Sequence, residues 1–116
     1  MGLKILNNTG GVAIPVRRPL GALLNAYEVG VGGLATSAVI SSVVICNNDA
    51  ALSDTFVLYA CKAAESAGAN NVIAKGTIPP GESYVLIAGL SLAVGESIQV
   101  IDVGSKLTCT VFGSES

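Results

Sequence analysis

The sequence predicts an all-β fold, an antiparallel β-sandwich of jelly-roll or immunoglobulin-like type with about seven strands. Three observations predict it. Apolar runs of five to ten residues recur along the chain, turn-forming residues bound each run, and no helical period survives beyond two turns.

The elements follow in order. Residues 1–21 read as an extended N-terminal arm, because Gly2, Gly10, Gly11, Pro15, Pro19 and Gly21 interrupt short apolar pieces. Proline at that spacing blocks a helix and a central strand alike. Strands are expected near 22–29, 38–46, 55–62, 71–78, 83–88, 97–103 and 106–112, which makes 22–116 the sandwich domain. Asn47-Asn48-Asp49, Asn70-Asn71, Pro79-Pro80-Gly81 and Val103-Gly104-Ser105 supply turn chemistry between them, the last predicting a tight hairpin joining the final two strands. Pro80-Gly81-Glu82-Ser83-Tyr84 and Val94-Gly95-Glu96-Ser97-Ile98 form a local repeat. In each copy glycine supplies a positive φ, Glu-Ser stays solvated, and a strand begins at once. Ala60 to Ala69 is the only stretch able to wind into a helical turn, and it is too short to be stable alone, so it reads as a strand end and a loose connection.

At 116 residues the chain has room for one core. The apolar fraction is 51%, and only 12% of residues are charged, about half the usual share of roughly 25%. Such a chain leaves an uncharged surface whose simplest remedy is burial against partners. The net charge is −2 and the six basic residues are scattered, so no stripe can neutralise a run of phosphates and nucleic-acid binding is not expected. Met1 to Leu6 lacks the apolar length of a signal peptide. The 18 uncharged residues from Val29 to Cys46 are long enough to span a membrane, yet three glycines, Thr36 and a β-branched bias favour a loop followed by a buried strand. No membrane association is expected.

The chemistry-bearing residues point away from catalysis. The chain has no His, which removes Ser-His and Cys-His pairs. Asp49 with Asp54, and Glu82 with Glu96, are the available carboxylate pairs, and each lies at a predicted turn where a solvated carboxylate needs no catalytic role. Cys46, Cys61 and Cys109 are spaced by 15 and 48, a pattern of no zinc site, and read as buried thiols, with a disulfide or intersubunit link as the other outcome. Gly30-Val31-Gly32-Gly33-Leu34-Ala35 satisfies a relaxed dinucleotide fingerprint, but strand material follows it where a helix is required. Asn47, Asn48, Asp49 and Asp54 offer oxygens to a calcium ion without the alternation of a calcium loop. No cofactor and no metal are expected. Ile14, Pro15, Val16, Arg17, Arg18, Pro19 and Leu20 are the candidate partner-binding residues, an arm in which the Arg pair either grips an acidic groove on a neighbouring subunit or simply keeps the arm solvated.

One ordered set of segments carries a resemblance: Ser41-Ser42-Val43-Val44-Ile45-Cys46-Asn47-Asn48, Thr55-Phe56-Val57-Leu58, Ile78-Pro79-Pro80-Gly81-Glu82-Ser83, Leu90-Ser91-Leu92-Ala93-Val94-Gly95-Glu96-Ser97-Ile98-Gln99-Val100 and Val111-Phe112-Gly113-Ser114-Glu115. Over residues 22–115 this pattern resembles small β-sandwich virion proteins of tailed bacteriophages. The resemblance implies a non-enzymatic particle component, a capsid cement or decoration protein ahead of a neck, tail or fibre-attachment protein, and carries across no functional residue. It also implies a place in the virion, assembled in the bacterial host cytoplasm, with major capsid or tail proteins as partners. Self-association as a cyclic homo-oligomer, a homotrimer first, fits the same reading. A carbohydrate- or receptor-binding module is the rival, although Tyr27, Tyr59, Tyr84, Phe56 and Phe112 lie mostly inside strand patterns.

Overall fold

The computed structural model describes residues 4–6, 23–30, 35–104 and 106–116. Eight strands are present among them: β1 (Lys4–Ile5), β2 (Leu23–Glu28), β3 (Ser37–Asn47), β4 (Asp54–Cys61), β5 (Val72–Ile78), β6 (Ser83–Ala93), β7 (Ser97–Asp102) and β8 (Leu107–Glu115). They form two four-stranded antiparallel sheets in the orders β1-β8-β3-β6 and β2-β7-β4-β5. Every pair of a rolled-up hairpin is made, β1 with β8, β2 with β7, β3 with β6 and β4 with β5. That pairing defines the jelly roll and sets aside the immunoglobulin-like alternative.

The expected strands appear with four differences, the simplest being that β8 runs on to Glu115 past the expected 112. β1 adds a strand inside the predicted arm: Ile5 pairs with Phe112, Leu6 is buried, and the Leu6 amide donates to the Val111 carbonyl at 2.8 Å. This part of the arm therefore seals the chain's own core. β6 runs on to Ala93 instead of stopping at 88, because Leu90 and Leu92 continue the inward alternation past Gly89. The predicted hairpin at Val103-Gly104 is instead a crossover, since β7 and β8 lie in different sheets. A turn-forming triplet reverses the chain without dictating whether the next strand pairs with the last or faces it.

The sheets bury one core between them, built on Tyr27, Ile40, Val43, Ile45, Phe56, Leu58, Ile98 and Val111. β3 shows how the alternation is kept. Ala38 and Ile40 point inward, and so do Val43 and Ile45, a change of phase absorbed at Ser41, where the register with both neighbours shifts. Without that bulge Ser42, Val44 and Cys46 would face the core. Phe56 and Tyr84 close the β5–β6 side of the core, their rings 5.0 Å apart and tilted by 45°.

Both copies of the local repeat turn as expected, with Gly81 at φ +73° and Gly95 at φ +85°. They differ in solvation. Glu82 and Ser83 are exposed, whereas Ser97 is buried and the Glu96 carboxylate accepts the Ala93 amide at 2.8 Å.

Candidate functional surface

The outer face of the β1-β8-β3-β6 sheet presents a continuous field without a charged side chain in its register rows. Ile5, Phe112, Ser42 and Ile87 stand side by side in one row, Thr110, Val44 and Val85 in the next, and Ser114, Val39 and Ser91 in a third. Ile87 is 78% exposed, Ile5 55% and Val85 51%. The opposite outer face differs, because the row Leu23, Ile101, Val57 ends on the exposed Lys75. Single exposed apolar residues are ordinary, whereas contiguous ones mark contact surfaces.

The second feature is a pair of buried carboxylates beneath the β7–β8 crossover. Asp54, at the start of β4, is 4% exposed and accepts backbone N–H groups from Gly104 at 2.7 Å, Lys106 at 3.0 Å and Thr55 at 2.8 Å. Asp102, at the end of β7, is 1% exposed and accepts the Leu107 amide at 3.2 Å, leaving Oδ1 without a partner. Burial, with the Asp54 carboxylate adding to it, raises the Asp102 pKa. The sequence places Asp54 at a turn as a solvated residue, and the structure corrects this by burying it. Its true role, clamping a crossover fifty positions away in sequence, is a long-range relation with no local signature. A cleft of about 330 Å³ opens beside it, lined by Leu52, Thr55, Thr77, Val103 and Lys106.

The other sequence candidates are accounted for by bracing. Asn47 spends its amide on the Leu52 and Ile78 carbonyls, both at 2.9 Å, and its Oδ1 accepts the Asp49 amide. Asp49 accepts the Ala51 and Leu52 amides, an Asx turn, and Asn48 donates to Thr108. These oxygens hold the β3–β4 loop, and among the described residues no group of three or more His, Cys, Asp or Glu gathers to hold a metal. The carboxylate that acts on Asp102 is that of Asp54. Gly30 leads through residues outside the described set into β3, so a strand stands where a dinucleotide site needs its helix. No helix among the described residues is long and apolar enough to cross a membrane.

Cys46, Cys61 and Cys109 are not joined in disulfides; Cys61 and Cys109 are buried, while Cys46 is half-buried on the outer face beside Ser83. Burial pushes the Cys109 thiol up to about 12. Tyr27 is fully buried and donates to Glu115 at 2.6 Å, tying β2 of one sheet to β8 of the other. Burial first, and then Glu115, raise its phenol. Among the aromatics offered for sugar stacking, Tyr27 and Phe56 are thus in the core, and Tyr59, Tyr84 and Phe112 are half-buried. The arm residues Ile14, Pro15, Val16, Arg17, Arg18, Pro19 and Leu20 lie outside the described residues.

The geometry defines a jelly-roll domain whose distinctive feature is an uncharged sheet face. Comparison with protein-family models, curated proteins and solved structures returns no match.

Proposed function

We propose that this chain is a non-enzymatic structural component of a bacteriophage virion, a capsid cement or decoration protein that binds copies of itself and the larger proteins of the particle. The observation that supports the reading best is the charge-free outer face of the β1-β8-β3-β6 sheet, on which Ile5, Val85 and Ile87 are each more than half exposed. A face of that kind is stable in water when a neighbour covers it. The jelly roll is also an architecture that capsid proteins share with lectins and cupins, which supports the reading by analogy. The composition agrees, with only 12% charged residues to keep a free surface hydrated.

The test is direct. Purified particles of the phage whose genome encodes the chain, examined by peptide mass spectrometry and by immunogold labelling, are expected to carry it in many copies on the head. Labelling confined to the neck, tail or fibres moves the protein to those parts of the same particle. Particles free of it, or selective binding of the purified domain on a glycan array, refute the structural reading in favour of another.

A further inference from the structure

We propose that two copies of this chain join edge to edge through β6, their Ser83–Ile87 segments pairing antiparallel about a two-fold axis at Val85. The inference rests on the reading above that the protein works by binding neighbours, and adds the edge and the register.

β6 ends its sheet, and among the described residues no strand pairs with its free side. A strand edge presents alternating N–H and C=O groups that a second strand can satisfy, and folded proteins guard such edges with charges, prolines, bulges or brevity. The other three edges are guarded. β1 has two residues, β2 is bulged between Asn25 and Tyr27 and ends on Glu28, and β5 places the exposed Lys75 near its middle. β6 has neither charge nor proline from Ser83 to Ala93. Its one irregularity, Ala88-Gly89 opposite Ser41, lies beyond Ile87, so the register from Cys46↔Ser83 to Ser42↔Ile87 is regular.

The absence of charge lets β6 pair with its own copy, where β5 would oppose like charges. Pairing β5 with itself would bring Lys75 near its own copy, and like charges across a ladder are destabilising. On β6 the proposed register sets Val85 against its own copy, Tyr84 against Leu86 and Ser83 against Ile87. The nearest acid, Glu82, then lies six residues along the strand from its counterpart, about 20 Å, which is beyond the screening length of about 8 Å in physiological salt. A two-fold axis normal to the sheet keeps both outer faces on one side. The uncharged row ending at Ile87 therefore continues into the second molecule, and the half-buried Tyr84 and Leu86 gain cover on the inner side.

Sedimentation equilibrium of the full chain tests the pairing, with circular dichroism confirming that each variant is folded. Val85→Lys and Ile87→Lys alter exposed side chains on the edge strand, while Val39→Lys alters one on the same face but on the inner strand β3. Wild type and Val39→Lys are expected to be dimeric, and the two edge variants to dissociate with Kd raised by about tenfold or more. A monomeric wild type, a three-chain mass, or dissociation by Val39→Lys with the edge variants unaffected overturns the pairing. Particle labelling decides the virion reading separately: a monomer that still decorates particles sinks only the edge pairing, and a dimer absent from particles sinks only the virion reading.

Discussion

Replacing Asp54 by alanine is expected to lower the stability of the whole sandwich by about 3 kcal/mol. The magnitude follows from three bonds: the carboxylate accepts the amides of Thr55, Gly104 and Lys106 at 2.8, 2.7 and 3.0 Å. A donor left without its acceptor costs about 1–3 kcal/mol when buried, and the lower end applies because water reaches the site through the adjacent cleft. Three donors at about 1 kcal/mol each give the total, which for a chain of this length corresponds to a fall in Tm of about 12 °C. Asp54→Asn keeps an oxygen for Thr55 and Gly104 but turns its NH2 toward the Lys106 amide, so about 1–2 kcal/mol is expected. Urea denaturation followed by circular dichroism measures both values, and hydrogen exchange reports whether the Gly104 and Lys106 amides lose protection before the core. A loss below about 0.5 kcal/mol for the alanine variant, or unchanged exchange at those two amides, would refute the assignment of Asp54 as the clamp of the crossover.

Three further outcomes are expected. Gly113→Ala would bring its new methyl inside contact distance of the Val39 carbonyl oxygen, 2.9 Å from Leu6 Cδ1 and 3.1 Å from Ile40 Cα, so it is expected to cost about 3 kcal/mol or prevent folding; a thermal melt within a few degrees of wild type would count against the packing of β8 between β1 and β3. Ala64 sits at φ +62°, and Ala64→Gly is expected to be stabilising by about 0.5–1 kcal/mol, read as a higher urea midpoint. Asp102 has its pKa raised by burial, so the stability it contributes is complete below its ordinary value of 3.8 and is lost as pH rises through the folded value. Asp102→Asn is therefore expected to gain stability relative to wild type at about pH 7 and to lose that advantage at about pH 3, and an equal difference at both would be inconsistent with a titrating Asp102.

Much of the sandwich was legible because period-two alternation and turn residues are local signals. Gly81 and Gly95 show this most clearly, each predicted from an x-Gly-Glu-Ser pattern to take the positive φ that it adopts. The relations that were not legible are the long-range ones. Ser41 could not be recognised as a bulge from β3 alone, since Ser41-Ser42 reads equally well as two residues of a regular strand. Nothing in Val103-Gly104 distinguishes a hairpin from a crossover; the difference lies in Asp54, which holds the connection from the far side. Lys4-Ile5 has too few residues to register as a strand, and pairs because β8 offers an edge there. For the candidate surface, the low charge count was visible from the outset, but its concentration on one sheet face depends on which strands are neighbours. Arg17 and Arg18, between the two prolines of the predicted arm, lie outside the described residues.

The rolled pairing also dictates an order of events during folding. β4 and β5 are joined by residues 62–71, and their ladder closes the smallest loop of the four, whereas the ladder of Lys4 with Gly113 joins residues near opposite ends of the sequence. Loop closure becomes entropically harder with each step outward, from β3–β6 to β2–β7 to β1–β8. This ordering predicts that the molecule zips from its middle toward its ends, on the slow, millisecond-to-second side typical of proteins with distant contacts, and stopped-flow folding measurements check the rate. Until the last ladder closes, Phe112 and Gly113 of β8 lack the strand partner that β1 gives them, and an edge open in this way is where a second unfinished chain would pair.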